Sequence, residues 1–528
     1  MQKIIGGLIF AVLLLLFAQA GAMAAEKIIF IPLYNRPITC RETWEAGAKL
    51  GYDMALPPDE LLGGRDRTGD SEGLWRWLER EAPAAKAAVI STDAMLYGSL
   101  VNSRNHDLDE NQILARAEKF RELRRKFPRL RLYAFGTLLR TLSSPSHSGG
   151  MEPADYQKYA MQIYDYSVWR DKTDMGVAKG SERRKLKKAE AAIPQEVMNA
   201  WENRHIMNYR ANEYLTDLTR DGVFTFFLLG GDDGAKYYQT HYEMRHIRAY
   251  GGDVGTSRFQ VLSGADELGM LMLCRAIHDL RGDIPFVYTA YNVGEGRDIV
   301  PKYTSETIGD DMDASLHAAG AMPVSEPSRA EMIFAISTDY TGRLVDANSP
   351  ENTRKPRQGT APFVNMVRDF LQKEYPVAVA DIAYGNGADN ALMAILSKEN
   401  LLFRLKAYGG WNTATNTTGF LIGDALLGRH MQEADAKERM LTRCLDDWGY
   451  QANVRQALWG YMSSLPGDGD GMNLKEKNEA MIAEGTRLIV EFAKKNIALP
   501  DGFPFALDKI RLTYPWDRLC ECEISYRG

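Results

Sequence analysis

The chain has 528 residues, 45% of them hydrophobic, with 64 Lys and Arg against 70 Asp and Glu and a formal net charge of −6. That length exceeds what one core holds, so two or three domains are expected, and the mixed, mildly acidic charge excludes the basic footprint of a nucleic-acid binder. Five cysteines exclude a disulfide framework, and the absence of CxxC and HExxH excludes the standard zinc patterns.

The N-terminus reads as a secretory signal peptide. Lys3 precedes an apolar run at 4–18, and Gly21-Ala22-Met23-Ala24 supplies small residues for cleavage after Ala24. The alternative is an uncleaved anchor helix, which needs about 20 apolar residues, more than this run offers. No later stretch is long and apolar enough to span a membrane. The mature chain is therefore expected to be soluble and extracytoplasmic, periplasmic or secreted.

Nine short apolar runs follow, at residues 28–33, 88–91, 131–135, 224–229, 259–262, 286–290, 332–336, 377–382 and 403–408. Each is apolar on both faces, as buried parallel strands are. The segments between them are long enough for crossover helices, which is the α/β pattern.

An internal repeat organises these runs. Tyr34-Asn35 after the first run returns as Tyr291-Asn292. A Gly-led apolar step follows each, Gly51-Tyr52-Asp53-Met54-Ala55 and Gly320-Ala321-Met322-Pro323. Ser91-Thr92-Asp93 returns as Ser337-Thr338-Asp339, and 131–135 as 377–382. Gly230-Gly231-Asp232-Asp233-Gly234 has its counterpart in Gly409-Gly410-Trp411-Asn412-Thr413. Five strands per half predict two pseudo-repeated Rossmann-like lobes with parallel sheets. If the short second steps are loops, four per half would instead build a (β/α)8-type barrel.

The predicted organisation is a signal peptide at 1–24, a first α/β lobe at 25–283 with a helical insertion at 151–220, a second lobe at 284–430 and a mostly helical C-terminal region at 431–528. The basic run at 183–188 reads as a solvated helix face. The Gly-rich acidic stretch at 466–471 lacks the glutamate and length of an EF-hand loop and reads as a turn.

In parallel α/β folds ligands bind beyond the carboxyl ends of the strands, and here those ends are polar. Asp232-Asp233 is the sharpest pair: neighbouring carboxylates push one pKa up, so one can act as general acid while the other stays ionised. A divalent cation held by the pair is an open alternative, as is helix capping. Asp266 and Glu267 end a further strand; Asp93 ends the third. Arg104 and Arg140 can fork hydrogen bonds to an anionic or hydroxylated ligand, and Asn35-Arg36 sits in a Pro-stiffened turn. In the second half Asp381, Asn386, Asp389, Trp411 and Asn412 combine acid, amide and indole groups that suit a sugar. His241 and His246 lie five apart rather than four, which argues against a shared metal site.

Six ordered motifs carry a resemblance: Tyr34-Asn35-Arg36-Pro37; Asp93-Ala94-Met95-Leu96-Tyr97-Gly98 with Ser103-Arg104; Asp232-Asp233; Gly264-Ala265-Asp266-Glu267; Asn386-Gly387-Ala388-Asp389; and Gly410-Trp411-Asn412-Thr413. Together they resemble a bacterial family catalogued as domain of unknown function 4127, over nearly the whole mature chain. Tyr34 stands where the family pattern implies an aspartate. The resemblance implies no reaction; it implies that these positions work as one set.

The expectation is an exported hydrolase acting on a carbohydrate or glycoconjugate, without a cofactor. Asp233 would be general acid/base, Asp232 would orient it, and Glu267 would be the reserve catalytic carboxylate. Asn35, Arg36, Asp93, Arg104, Arg140, Asp266, Asp381, Asn386, Asp389, Trp411 and Asn412 would bind the small-molecule or glycan substrate. The alternatives are a two-lobed solute-binding protein and a metal-dependent enzyme using the same carboxylates. Outside the cytoplasm ATP and NAD(P)H are not at hand, which weakens kinase and dehydrogenase readings of such lobes.

Overall fold

The computed structural model describes residues 25–144 and 151–526. The signal-peptide reading of residues 1–24 lies outside the described residues. Among those described, no helix is long and apolar enough to cross a membrane.

Eleven of the strands form two open parallel sheets. The first contains β1 (Lys27–Ile31), β2 (Asp53–Ala55), β3 (Ala85–Ser91), β4 (Arg131–Leu138), β5 (Phe226–Gly231) and β6 (Phe259–Ser263), in the order β2-β1-β3-β4-β5-β6. The second contains β7 (Phe286–Tyr291), β8 (Met322–Pro323), β9 (Met332–Ser337), β10 (Val377–Asp381) and β11 (Ala407–Gly409), in the order β11-β10-β9-β7-β8. Numbered from its own first strand, each lobe reads 2-1-3-4-5, one of the common doubly wound orders. The first lobe adds β6 at its far edge. The short second steps are thus paired strands, β2 on β1 and β8 on β7. Both sheets stay open, and the barrel alternative is set aside.

Both faces of each sheet are covered, because the strands alternate their buried side chains. In β1, Ile28 and Phe30 face one core while Ile29 and Ile31 face another. In β10, Ala378 and Ala380 join the first of these cores while Val377 and Val379 face the C-terminal helices. The shared core is filled by the helices Leu268–Arg281 and Ala414–Gly428, which pack on each other; the former lies on β3 and β4, the latter on β10 and β11. Both bury most of their circumference, with long, largely apolar stretches at 268–274 and 419–427.

The insertion is helical at Ala154–Lys158, Ala160–Asp174, Arg183–Ala191 and Gln195–Arg220, and the helix Arg183–Ala191 buries no residue, as a solvated basic face should. After residue 431 come the helix Glu433–Arg443, a π-helical stretch Cys444–Val454, and the helices Arg455–Ser464 and Asn478–Asn496. The chain ends in a two-stranded antiparallel ribbon, β12 (Arg511–Thr513) and β13 (Glu523–Ser525). All five cysteines are free.

Candidate functional site

The first-lobe wall of the site is built by tight turns after β1, β3, β5 and β6. After β3, Ser91 Oγ accepts the Ala94 N–H at 3.1 Å and starts the helix Thr92–Tyr97. That helix ends at Gly98 with φ of 103°, where a Cβ would lie 2.5 Å from the Gly69 carbonyl oxygen. Only glycine fits both the left-handed backbone and the contact. The reversal launches the short helix Leu100–Arg104, which ends by presenting Arg104. Between β5 and β6 the approach is as close: a Cβ on Gly230 would meet the Gly264 carbonyl oxygen at 2.2 Å. This brings Asp232 and Asp233 alongside residues 264–266. Asp233 itself has φ of 53°, a conformation that Asp tolerates better than most side chains.

These turns line a cavity of about 730 Å³ that opens at the carboxyl ends of both sheets. Its volume falls in the range of small-molecule sites. Tyr34, Arg36, Arg104, Arg140, Asp232, Asp233 and Asp266 come from the first lobe, and Asn386, Trp411, Asn412 and Asn416 from the second. Two of the amide residues, Asn386 and Asn412, sit at φ of 57° and 61°, and the Asn386 N–H donates to the Asn412 carbonyl at 2.8 Å. The strand-end loops of the second lobe are thereby tied together.

The charges inside the cavity are matched in a network. Arg104 donates to Asp232 Oδ2 and lies 3.7 Å from Glu152 Oε1, which also accepts from Arg140 at 2.9 Å. Arg36 donates to Asp266 Oδ2 at 2.9 Å and reaches Glu521 at 3.3 Å, and Tyr34 Oη donates to the other oxygen of Asp266. Arg518 donates to Glu521 at 2.6 Å. Asp233 has no such partner among the described residues. Burial and the charge of Asp232 push its carboxyl up to about 6, against the opposing pull of Arg140 and Arg104. One acid of the pair is thus locked to an arginine while the other is held above the ordinary carboxylate range.

The structure brings together nine of the residues singled out from sequence: Asp232, Asp233, Arg36, Arg104, Arg140, Asp266, Asn386, Trp411 and Asn412 all line the cavity. The other five do not. Glu267 is 2% exposed and lies behind Asn416, whose amide donates to it. Burial pushes Glu267 up to about 8, and Asn416 in turn accepts from Asn412 at 2.8 Å. Glu267 therefore orients amides rather than facing a ligand. Asn35 spends its amide on Asp59 and on the indole N–H of Trp516, each at 2.9 Å. Asp93 is buried against Thr137 at 3.1 Å. Asp381 is 0% exposed and accepts from the Asp389 N–H at 2.7 Å and from Tyr408 Oη at 3.0 Å. Asp389 caps the helix Asn390–Lys398 and pairs with Arg357 at 2.8 Å. These carboxylates hold the loops in shape.

Trp411 also differs from expectation. It is 3% exposed, its ring is covered by the Arg36 guanidinium at 4.7 Å, and it packs edge-on against Phe420. It is a partner for an arginine, not an open stacking platform. His241 and His246 bond different carboxylates, Asp171 at 2.6 Å and Asp174 at 3.0 Å. Among the described residues no group of three His, Cys, Asp or Glu side chains is arranged to hold a metal ion.

A third wall comes from the C-terminal region and was not foreseen. Gln451, Arg455, Gln456, Trp459, Met472, Trp516, Arg518 and Cys520 line the cavity too. Gln451 lies on the π-helical stretch Cys444–Val454, a geometry whose periodicity no helical or strand pattern reveals. Tyr303 of the second lobe was missed as well; it follows β7 in a loop that carries no motif. The sequence signal that could have marked this wall is the Trp and Arg spacing at 516–518, in a region expected to be mostly helical.

The family described as a protein of unknown function (DUF4127) matches residues 28–525, which takes in both lobes and the C-terminal wall. Neither curated proteins nor solved structures give a match. With its whole cavity-forming chain inside that match, the protein belongs to the DUF4127 family.

Proposed function

We propose that the protein is an exported hydrolase acting on a carbohydrate or glycoconjugate held in the cavity between the lobes. The observation that carries this reading is Asp233: a carboxyl pushed up to about 6 on the cavity wall, beside an Asp232 engaged by Arg104. Such a pair divides the labour of acid catalysis. Asp233 donates a proton to a leaving oxygen, and Asp232 with its arginine fixes the local field. Asp266 replaces Glu267 as the second catalytic carboxylate, because Asp266 lines the cavity and is held by Tyr34 and Arg36. Its role is to act on water or on the reacting carbon. Asn386, Asn412 and Asn416 supply the amides that hydroxyl groups require.

A hydrolysis screen over cell-wall and glycan substrates tests the reading. Asp233→Asn is expected to lose about 10²–10⁴-fold in rate with the fold retained; full activity in that variant removes Asp233 from the mechanism. Tight binding of an intact ligand without turnover would favour the solute-binding alternative, which the two-lobed origin of the cavity walls supports. Export is checked separately, by fractionating cells that produce the full chain and sequencing the mature N-terminus.

A further inference from the structure

Among the described residues, the cavity's ion pairs leave one cation without a carboxylate. Five arginines line it. Four have carboxylate partners: Arg36 with Asp266 and Glu521, Arg104 with Asp232 and Glu152, Arg140 with Glu152, and Arg518 with Glu521. These four arginines meet four carboxylates. The fifth, Arg455, has no ion-pair partner among the described residues. Its Nη1 donates to the Gln451 amide oxygen at 2.7 Å, and Gln451 is itself anchored by donating to Asp446 at 3.1 Å. The fork is therefore held in place by a neutral group, and its other N–H groups have no protein acceptor among the described residues.

One helical turn onward from Arg455, on the same face, stands Trp459, which also lines the cavity. It is 38% exposed, the most exposed tryptophan at the site. One side of its ring is backed by Gly471, where an added Cβ would fall 2.0 Å from a ring atom. The ring is thus pressed against the Gly471 backbone while the residue stays part-exposed in the cavity wall. A fixed, half-open indole beside an unneutralised guanidinium is a recognition surface with two parts. The indole takes the C–H face of a ring, and the fork takes a carboxylate, phosphate or sulfate carried by that ring.

We propose that Arg455 and Trp459 form the subsite for a negatively charged sugar ring, so that the substrate class is an acidic rather than a neutral glycan. This rests on the carbohydrate reading above and sharpens it. Among the described residues, the other lining charge without an ion-pair partner is Asp233, which must be protonated to act as an acid. In that state the cavity carries an excess of one positive charge, and an anionic substrate restores balance.

The test is calorimetric binding with the full mature chain. Methyl β-glucuronide and glucose 6-phosphate are compared with methyl β-glucoside, in the wild type, Arg455→Gln, Arg455→Lys and Trp459→Ala; circular dichroism checks that each variant is folded. The wild type is expected to prefer at least one of the two anionic sugars over the glucoside by about tenfold or more. Preference for the glucuronide identifies a carboxylate, preference for the phosphate a phosphoryl group. Arg455→Gln should abolish the preference by weakening the anionic sugars far more than the glucoside, and Arg455→Lys should restore part of it. Trp459→Ala should weaken every sugar by a similar factor. Equal binding of charged and neutral sugars by the wild type overturns the subsite and leaves the carbohydrate reading intact. So does a preference that survives in Arg455→Gln. If no sugar binds, phenyl phosphate and benzoate decide. Their binding, weakened in both Arg455→Gln and Trp459→Ala, keeps the anion-and-ring subsite and overturns the sugar; no binding of these probes overturns both.

Discussion

Asp233 links stability to pH in a direction that can be worked out. Its folded-state value of about 6 lies above the ordinary 3.8, so the native state favours the protonated form. Stability is then fully present below about pH 4 and declines as pH climbs through about 6. Asp233→Asn removes that decline. The variant is expected to be more stable than the wild type at pH 7, by on the order of 1–3 kcal/mol, and equal to it near pH 4; denaturant unfolding at both pH values measures this. The same acid predicts activity that falls as pH rises past about 6. Glu267 gives a contrasting expectation. Glu267→Gln keeps an oxygen for Asn416 and should retain activity within a few-fold, whereas Glu267→Ala strands a buried amide and should lose substantially more. Equal, large losses in both variants would return Glu267 to a catalytic role. At this scale the sequence revealed the paired aspartates but not their separation into paired and unpaired. That separation depends on Arg104 and Arg140, and it is tertiary geometry that brings these two beside the pair.

At the scale of elements, the site depends on close backbone approaches more than on any one side chain. Gly230→Ala forces apart the exits of β5 and β6, since its methyl would meet the Gly264 carbonyl. It should cost about 1–3 kcal/mol and lower activity through displacement of Asp266, read by thermal unfolding and kcat/KM together. The strands themselves were legible. Their two-sided apolar runs and the repeated Ser-Thr-Asp step survive in the order 2-1-3-4-5 of each lobe. The run at 403–408 was placed too early, because Leu402–Arg404 coils into a 3-10 turn and only Ala407–Gly409 pairs with β10. Trp411 was misjudged for a related reason. A tryptophan at a strand end is apolar and flat in any sequence, and nothing local says that Arg36, from the other lobe, lies over it.

For the whole molecule, the central core is shared between the lobes. Phe30 and Phe135 of the first sheet and Phe334 and Ala380 of the second belong to one apolar cluster, bridged by the helices Leu268–Arg281 and Ala414–Gly428. Neither lobe can expose its side of that cluster without a large hydrophobic cost. The protein is therefore expected to unfold in one calorimetric transition, with the van't Hoff enthalpy matching the calorimetric one. Two separated transitions would show that the lobes are independent. The C-terminal wall was the least legible part. Its contacts join residues at opposite ends of the chain, and no local pattern encodes them.

Those end-to-end contacts set an order of events during synthesis. Asn35 is bonded to Trp516, 481 residues later, and Arg36 to Glu521, 485 residues later. The N-terminal half of the cavity leaves the ribosome with its guanidinium and phenol groups in place but without their C-terminal partners. Loop closure over such a separation comes last, because its entropy must be met by contacts that already exist. A chain interrupted before Trp516 can form both sheets and still lack a closed binding site. The C-terminal wall of the cavity thus takes shape only once residues 516–521 have emerged to meet Asn35 and Arg36.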